Sequence, residues 1–102
     1  MALNKHPKTL LVIVAEGALE RSLVRDAQQL GAHGWTVTEV RGAGRSGARE
    51  GAWEADRTVE IKFICAEAVA DAIAEHVLEQ YAVHYKVVMY FCPVQVLRPD
   101  RF

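Results

Sequence analysis

Hydrophobic and polar positions along the chain change their period six times, and each change marks an element. Residues 1 to 7 form a short polar leader expected to fray. From Thr9 to Ala15 the chain is apolar on both alternating faces, the pattern of a strand covered on both sides and central in its sheet. Between Ala18 and Leu30 the apolar positions Leu19, Leu23, Ala27 and Leu30 fall at helical spacing, and Gly31 stands where a C-cap glycine belongs. Trp35 to Arg41 alternates β-favouring residues, with Trp35, Val37 and Glu39 on one face and Thr36, Thr38 and Val40 on the other. Thr58 to Cys65 alternates again, pointing Val59, Ile61, Phe63 and Cys65 at a core and Glu60 and Lys62 away from it. Ala66 to Tyr81 carries Val69, Ile73, Val77 and Tyr81 as a second helical stripe. A last strand covers Lys86 to Val96, where Pro93 predicts an edge, a bend or a separate short strand.

Strand, helix, strand, loop, strand, helix, strand is the split βαβ order, which predicts an α+β fold of ferredoxin-like type: a four-stranded antiparallel sheet with two helices on one face. The opposite face would show Leu10 or Ile13, Val40 and Ile64 among threonines and charges. That is too apolar to be comfortably solvated, so burial against other subunits is expected. The same topology sets Cys65 and Cys92 two strand spacings apart, about 10 Å, beyond disulfide reach. Both are expected to be buried, reduced thiols.

Between the second and third strands the composition shifts. Residues 42 to 57 hold four of the seven glycines and no aliphatic side chain larger than alanine. A segment that buries no face yet spans this length inside a small domain is expected to be a functional loop. Gly42, Gly44 and Gly47 match a GxGxxG string, but a dinucleotide fingerprint must open a helix, and polar loop follows instead. What survives is chemistry: glycines let a ligand approach the backbone, and Arg41, Arg45 and Arg49 recur every fourth residue as forked donors suited to an oxyanion. A flexible glycine hairpin with weakly paired charges fits those residues equally well.

Whole-chain numbers narrow the alternatives. At 102 residues the chain is read as one domain, with 51% hydrophobic and 25% charged residues and ordinary globular composition. Twelve basic against thirteen acidic side chains give a formal charge of -1, a poor basis for binding nucleic acid or an anionic membrane. The early apolar run Leu10 to Ala15 is far shorter than the about 18 residues a membrane span needs, and a cytoplasmic location is expected. His6, His33, His76 and His84 show no metal-ligand spacing, and neither cysteine is marked as an activated nucleophile. Arg98 and Arg101, beside Pro99, are either solvated charges or donors to an anion on a neighbouring subunit. Tyr81, Tyr85 and Tyr90 are read as packing residues.

The run Gly34-Trp35-Thr36-Val37-Thr38-Glu39-Val40-Arg41-Gly42-Ala43-Gly44-Arg45 resembles the second strand and T-loop start of PII signal-transduction proteins. Their pattern is Gly-x-Thr-Val-Thr-Glu-Val-Lys-Gly-x-Gly-Arg. Val59 to Ile64 resembles that family's third strand, and Val94 to Arg98 its terminal strand and arginine. The resemblance implies a homotrimer with adenine nucleotide in clefts between subunits. It places Val14, Thr36 and Ile64 at the adenine, and Gly42, Gly44, Arg45 and Arg98 at the phosphates, with Arg101 adjacent. There are departures. No tyrosine is available in the loop for uridylylation, the loop is short, and Gln80 to Lys86 lacks the glycines and placed lysine of the family's phosphate-binding B-loop. These features look more like the PII-like proteins of inorganic-carbon uptake, the carboxysome-associated and SbtB-like branch. That likeness implies ADP or AMP as ligand, with ATP and cyclic AMP as further candidates. Bicarbonate would sit at Arg41, Arg45 or Arg49, and the regulated target would be a bicarbonate transporter or a carboxysome-linked protein. The expected activity is noncatalytic sensing without a tightly bound cofactor or metal. The alternative on the same fold is a trimeric metal-tolerance protein resembling the CutA group.

Overall fold

The computed structural model describes residues 2–44, 47–49 and 57–102. Strand β1 runs His6–Glu16, and a 3-10 turn at Gly17–Leu19 leads into helix α1, Glu20–Gln29. Strand β2 follows at Thr36–Val40, then two three-residue strands, β3 at Gly42–Gly44 and β4 at Gly47–Arg49. Strand β5 is Thr58–Cys65, helix α2 Glu67–Gln80 and strand β6 Val88–Val96, before a closing 3-10 turn at Pro99–Arg101. The main sheet is ordered β2-β5-β1-β6 with antiparallel neighbours throughout. This is the ferredoxin-like fold, and β1 is central in it as its two-sided apolar pattern requires.

Period-2 alternation sets β5. Val59, Ile61, Phe63 and Cys65 are fully buried against the helices, together with Leu11, Ile13 and Ala15 of β1. From above, α1 contributes Leu23 and Ala27, and α2 contributes Ala70, Ile73, Ala74 and Val77. Each large side chain so buried is worth about 1.5–3 kcal/mol relative to exposure. The end of α1 is closed by a Schellman motif: Ala32 N–H donates to the Ala27 carbonyl at 3.0 Å and Gly31 N–H to the Gln28 carbonyl at 3.1 Å. Gly31 takes φ of 118° there, the left-handed region a C-cap glycine supplies. Leu30, expected on the buried stripe, is 37% exposed, because the helix ends at Gln29 and the cap turns it outward.

Register resolves which residues share the uncovered face. Ile13 pairs with Ile61 and lies in the core, so Leu10, opposite Ile64 and Cys92, takes the uncovered side. Its rows are Ile64–Leu10–Cys92, Thr36–Lys62–Val12–Tyr90 and Thr38–Glu60–Val14–Val88. Val88 and Tyr90 are about half exposed in the single chain.

Two expectations need correction and a third is resolved. The leader does not fray to Pro7: His6 pairs with Val96 and Pro7 with Gln95, because β6 is long enough to template β1 that far. Cys92 is exposed, not buried, because it lies on the uncovered face of an outer strand, opposite Leu10. Both cysteines are free thiols, with β1 between their strands. Of the three outcomes Pro93 predicted, the edge holds: β6 is an outer strand, continuous through Pro93 opposite Thr9, and an outer strand tolerates a residue with no N–H to donate.

Candidate functional site

The residues expected at a ligand fall into two groups, set by strand direction. Gly42 and Gly44 follow the end of β2, where Val40 pairs with Thr58 and Thr58 with Glu16, so they belong to the Glu16 end of β1. Arg98 and Arg101 follow Val96, which pairs with His6, the other end. Ten residue steps of extended chain separate those ends, about 30 Å. Within one chain, therefore, the two groups do not meet. Arg98 and Arg101 are both exposed.

On the uncovered face, Thr36 and Ile64 are diagonal neighbours across β2 and β5, because Thr36 pairs with Lys62. Val14 lies on the far side of β5 and one row further along, opposite Glu60. Between them Lys62 Nζ and Glu60 Oε1 form an ion pair at 3.3 Å. The three adenine candidates are thus split by a charged pair on β5.

At the loop's root the backbone pairs Gly42 with Arg49, Ala43 with Ala48 and Gly44 with Gly47. This hairpin sets the Arg49 position opposite Gly42, the residue after the exposed Arg41. Arg45 lies outside the described residues. A Cβ added at Gly42 would meet nothing within 4 Å among them. Packing among the described residues therefore gives no reason for glycine there, and none of them covers its bare Cα.

Two features were not singled out from sequence. Arg57 closes the far foot of the segment, with Nη1 3.4 Å from Glu39 Oε1 and Nη2 3.5 Å from Glu20 Oε1. Only the glycine at 17, directly after a strand, hinted that a close approach was needed there. The other feature is Asp26, which joins the helices. Tyr81 Oη donates to Asp26 Oδ2 at 2.5 Å, His76 Nε2 lies 2.9 Å from the same oxygen, and Arg25 donates to Oδ1 at 3.2 Å. Burial alone would raise the Asp26 carboxyl, but the bonds from Tyr81, His76 and Arg25 hold it below the ordinary carboxylate range. Burial, then Asp26 itself, pushes the Tyr81 phenol up. Tyr81 begins the turn between α2 and β6, where its carbonyl accepts from the N–H groups of His84 and Tyr85 at 3.0 and 2.9 Å. Its role goes beyond the packing expected of it.

The family model for the nitrogen regulatory protein P-II matches residues 8–101. The chain belongs to the P-II family. Among solved structures, this P-II chain is 37% identical to a PII-like signalling protein from Thermus thermophilus, with a TM-score of 0.85 over 98% of this chain and 99% of that one. It is 25% identical to CPII from Thiomonas intermedia bound to ADP, AMP and bicarbonate, with a TM-score of 0.88 over 99% and 98% of the chains. A second CPII structure, bound to ADP and bicarbonate, matches at 24% identity and the same TM-score, 0.88, over 99% of both chains, and speaks to the fold alone. None of the curated proteins compared matches.

Proposed function

We propose that this P-II protein is a noncatalytic sensor that binds ADP or AMP in clefts between the subunits of a homotrimer. The observation that carries the reading is the end-to-end likeness to CPII, whose structure holds ADP, AMP and bicarbonate. Two features of this chain support it. Gly42 offers an open Cα at the loop root, and the two groups of phosphate candidates, Gly42, Gly44 and Arg45 against Arg98 and Arg101, can act on one ligand only if it bridges two chains. Thr36, Ile64 and Val14, separated within a chain, are likewise assigned to the adenine across a cleft. Covering the exposed apolar side chains of this face, Val88 and Tyr90 beside the half-buried Leu10, supplies a driving force for assembly.

Bicarbonate is the second ligand in this reading, held by Arg41, Arg45 or Arg49 as a planar oxyanion. Ligand contacts made only in an ordered 42–57 segment would shift that segment's population and so its docking on a target, a bicarbonate transporter or carboxysome-linked protein in the cytoplasm. ATP and cyclic AMP are competitors to be measured beside ADP. The CutA-like alternative gains nothing from the described residues, among which no three His, Cys, Asp or Glu side chains come together.

Calorimetry with ADP, AMP, ATP and cyclic AMP, each with and without bicarbonate, tests the proposal. Micromolar or tighter binding of ADP or AMP is expected, enhanced by bicarbonate. Absence of binding by every adenine nucleotide would overturn it, while equal affinity with and without bicarbonate removes only the second ligand. Sedimentation should give about three times the mass of the chain.

A further inference from the structure

The junction of β1 with α1 carries a charge cluster that no ligand role absorbs. Gly17 N–H donates to the Arg57 carbonyl at 2.6 Å. The Arg57 side chain then folds back over the same residue, with Nη2 3.5 Å from the Gly17 carbonyl oxygen, and its fork spans Glu20 and Glu39. A Cβ at Gly17 would stand 2.5 Å from Arg57 Nε, inside any contact distance, so glycine is required for the guanidinium to lie there. Glu20 opens α1, where the positive end of the helix dipole already favours a carboxylate. The Arg57 and Glu20 side chains are 29% and 32% exposed, against 67% for Glu39, so the Glu20 arm is the less screened of the two.

We propose that Arg57 is a positioning residue for the loop root: it ties the C-terminal end of β2 to the start of α1 and so fixes where the chain leaves the sheet at Gly42. The need is topological. Among the described residues β2 is an outer strand with β5 as its one sheet neighbour, and its ladder ends at Val40 opposite Thr58, the residue after Arg57. Beyond Val40 the four-stranded sheet makes no further pair with this strand among the described residues, and the β3–β4 hairpin that follows at Gly42 pairs only with itself. Glu39, one residue before Val40, is gripped from α1's side by a fork that Glu20 and the Gly17 carbonyl hold in place. A guanidinium can span these acceptors at once because its donors are fixed in one plane, whereas an ammonium is a point charge. The inference rests on the reading of Gly42 as a ligand contact only for its effect on nucleotide affinity.

The test uses the full chain with Arg57→Ala, Gly17→Ala and Arg57→Lys, read by amide hydrogen exchange and by ADP calorimetry. Gly17→Ala expels the guanidinium by sterics and leaves every charge in place. Exchange across residues 39 to 44 should rise about tenfold in Arg57→Ala and in Gly17→Ala, while the amides of Ile13, Ile61 and Phe63 stay within about twofold of wild type. Lysine should restore less than half of the lost protection, and ADP affinity should fall at least about threefold in both alanine variants. Exchange at 39 to 44 within about twofold of wild type in either alanine variant overturns the proposal. So does a rise shared equally by the core amides, which would report general destabilisation. Full rescue by lysine overturns the role of the fork, and unchanged ADP affinity overturns the link to the ligand. A wild-type chain that binds no nucleotide defeats the proposed function, yet the exchange measurements still decide the fate of the clasp.

Discussion

Replacing Tyr81 by phenylalanine removes one hydroxyl and one hydrogen bond, and the structure says what that bond is worth. Its acceptor is the Asp26 carboxylate, whose side chain is 15% exposed, so the bond is charge-assisted and largely shielded from water. Such bonds contribute about 1.5–3 kcal/mol. Asp26 keeps His76 and Arg25 in the variant, which places Tyr81→Phe near the bottom of that range, at about 1.5 kcal/mol. Asp26→Ala loses all three partners and leaves the phenol and imidazole without their acceptor, so about 2–4 kcal/mol is expected. The decisive quantity is the coupling in the double-mutant cycle, from urea midpoints at fixed protein concentration, since assembly would make midpoints depend on it. A coupling of about 1 kcal/mol or more is expected at pH 7, and a value below about 0.5 kcal/mol refutes the reasoning.

The pH dependence follows from the two shifts. Asp26 is held low in the folded chain, so its contribution is present above the unfolded value of about 4 and is lost as pH falls from there through the folded value. Tyr81 is pushed up, so its contribution is complete below about pH 10 and is lost as pH rises through the folded value. The coupling should therefore collapse in acid first. A coupling that persists unchanged at pH 2 would show that the charge on Asp26 is irrelevant.

Gly31→Ala should cost about 1 kcal/mol or more in urea unfolding, because φ of 118° strains an L residue and its Cβ would stand 3.3 Å from Val69 Cγ2; a neutral effect would mean the Schellman cap can relax. Cys65 is fully buried and burial raises its thiol, so a thiol reagent should modify it only at the rate of unfolding. Measured by mass spectrometry on a Cys92→Ser variant, modification as fast as that of an unfolded chain would refute its burial.

How much of this was legible depended on period. β5 was readable from Thr58 to Cys65 because strict alternation has one solution, whereas β1, apolar on both sides, left Leu10 and Ile13 interchangeable until pairing with Ile61 and Ile64 fixed the register. The start of β1 at His6 was hidden because Pro7 and Lys8 carry no hydrophobic signal; only the partner strand shows that they are paired. The β3–β4 hairpin was legible only as the glycine-hairpin alternative, since its glycines and alanines have no period that would fix its strands or register. Motif recognition supplied candidate site residues where periodicity was silent, but it could not reveal that the Glu60–Lys62 ion pair divides them. Arg57 and Asp26 were missed because their roles depend on contacts between residues 18 to 55 positions apart, which no local pattern encodes.

The length of β1 has a consequence for how a ligand would be measured. Because Gly42 and Arg98 sit beyond opposite ends of an eleven-residue strand, a nucleotide that touches both counts subunits as it binds. Its affinity would then track the concentration of the protein itself, weakening on dilution as the assembly parts. Two chains, each defective at a different end, would restore one another in mixtures: a variant lacking the glycine root and a variant lacking the terminal arginine would share at least one intact cleft. On the proposed reading the strand would act as a spacer, making every site a joint possession of two chains.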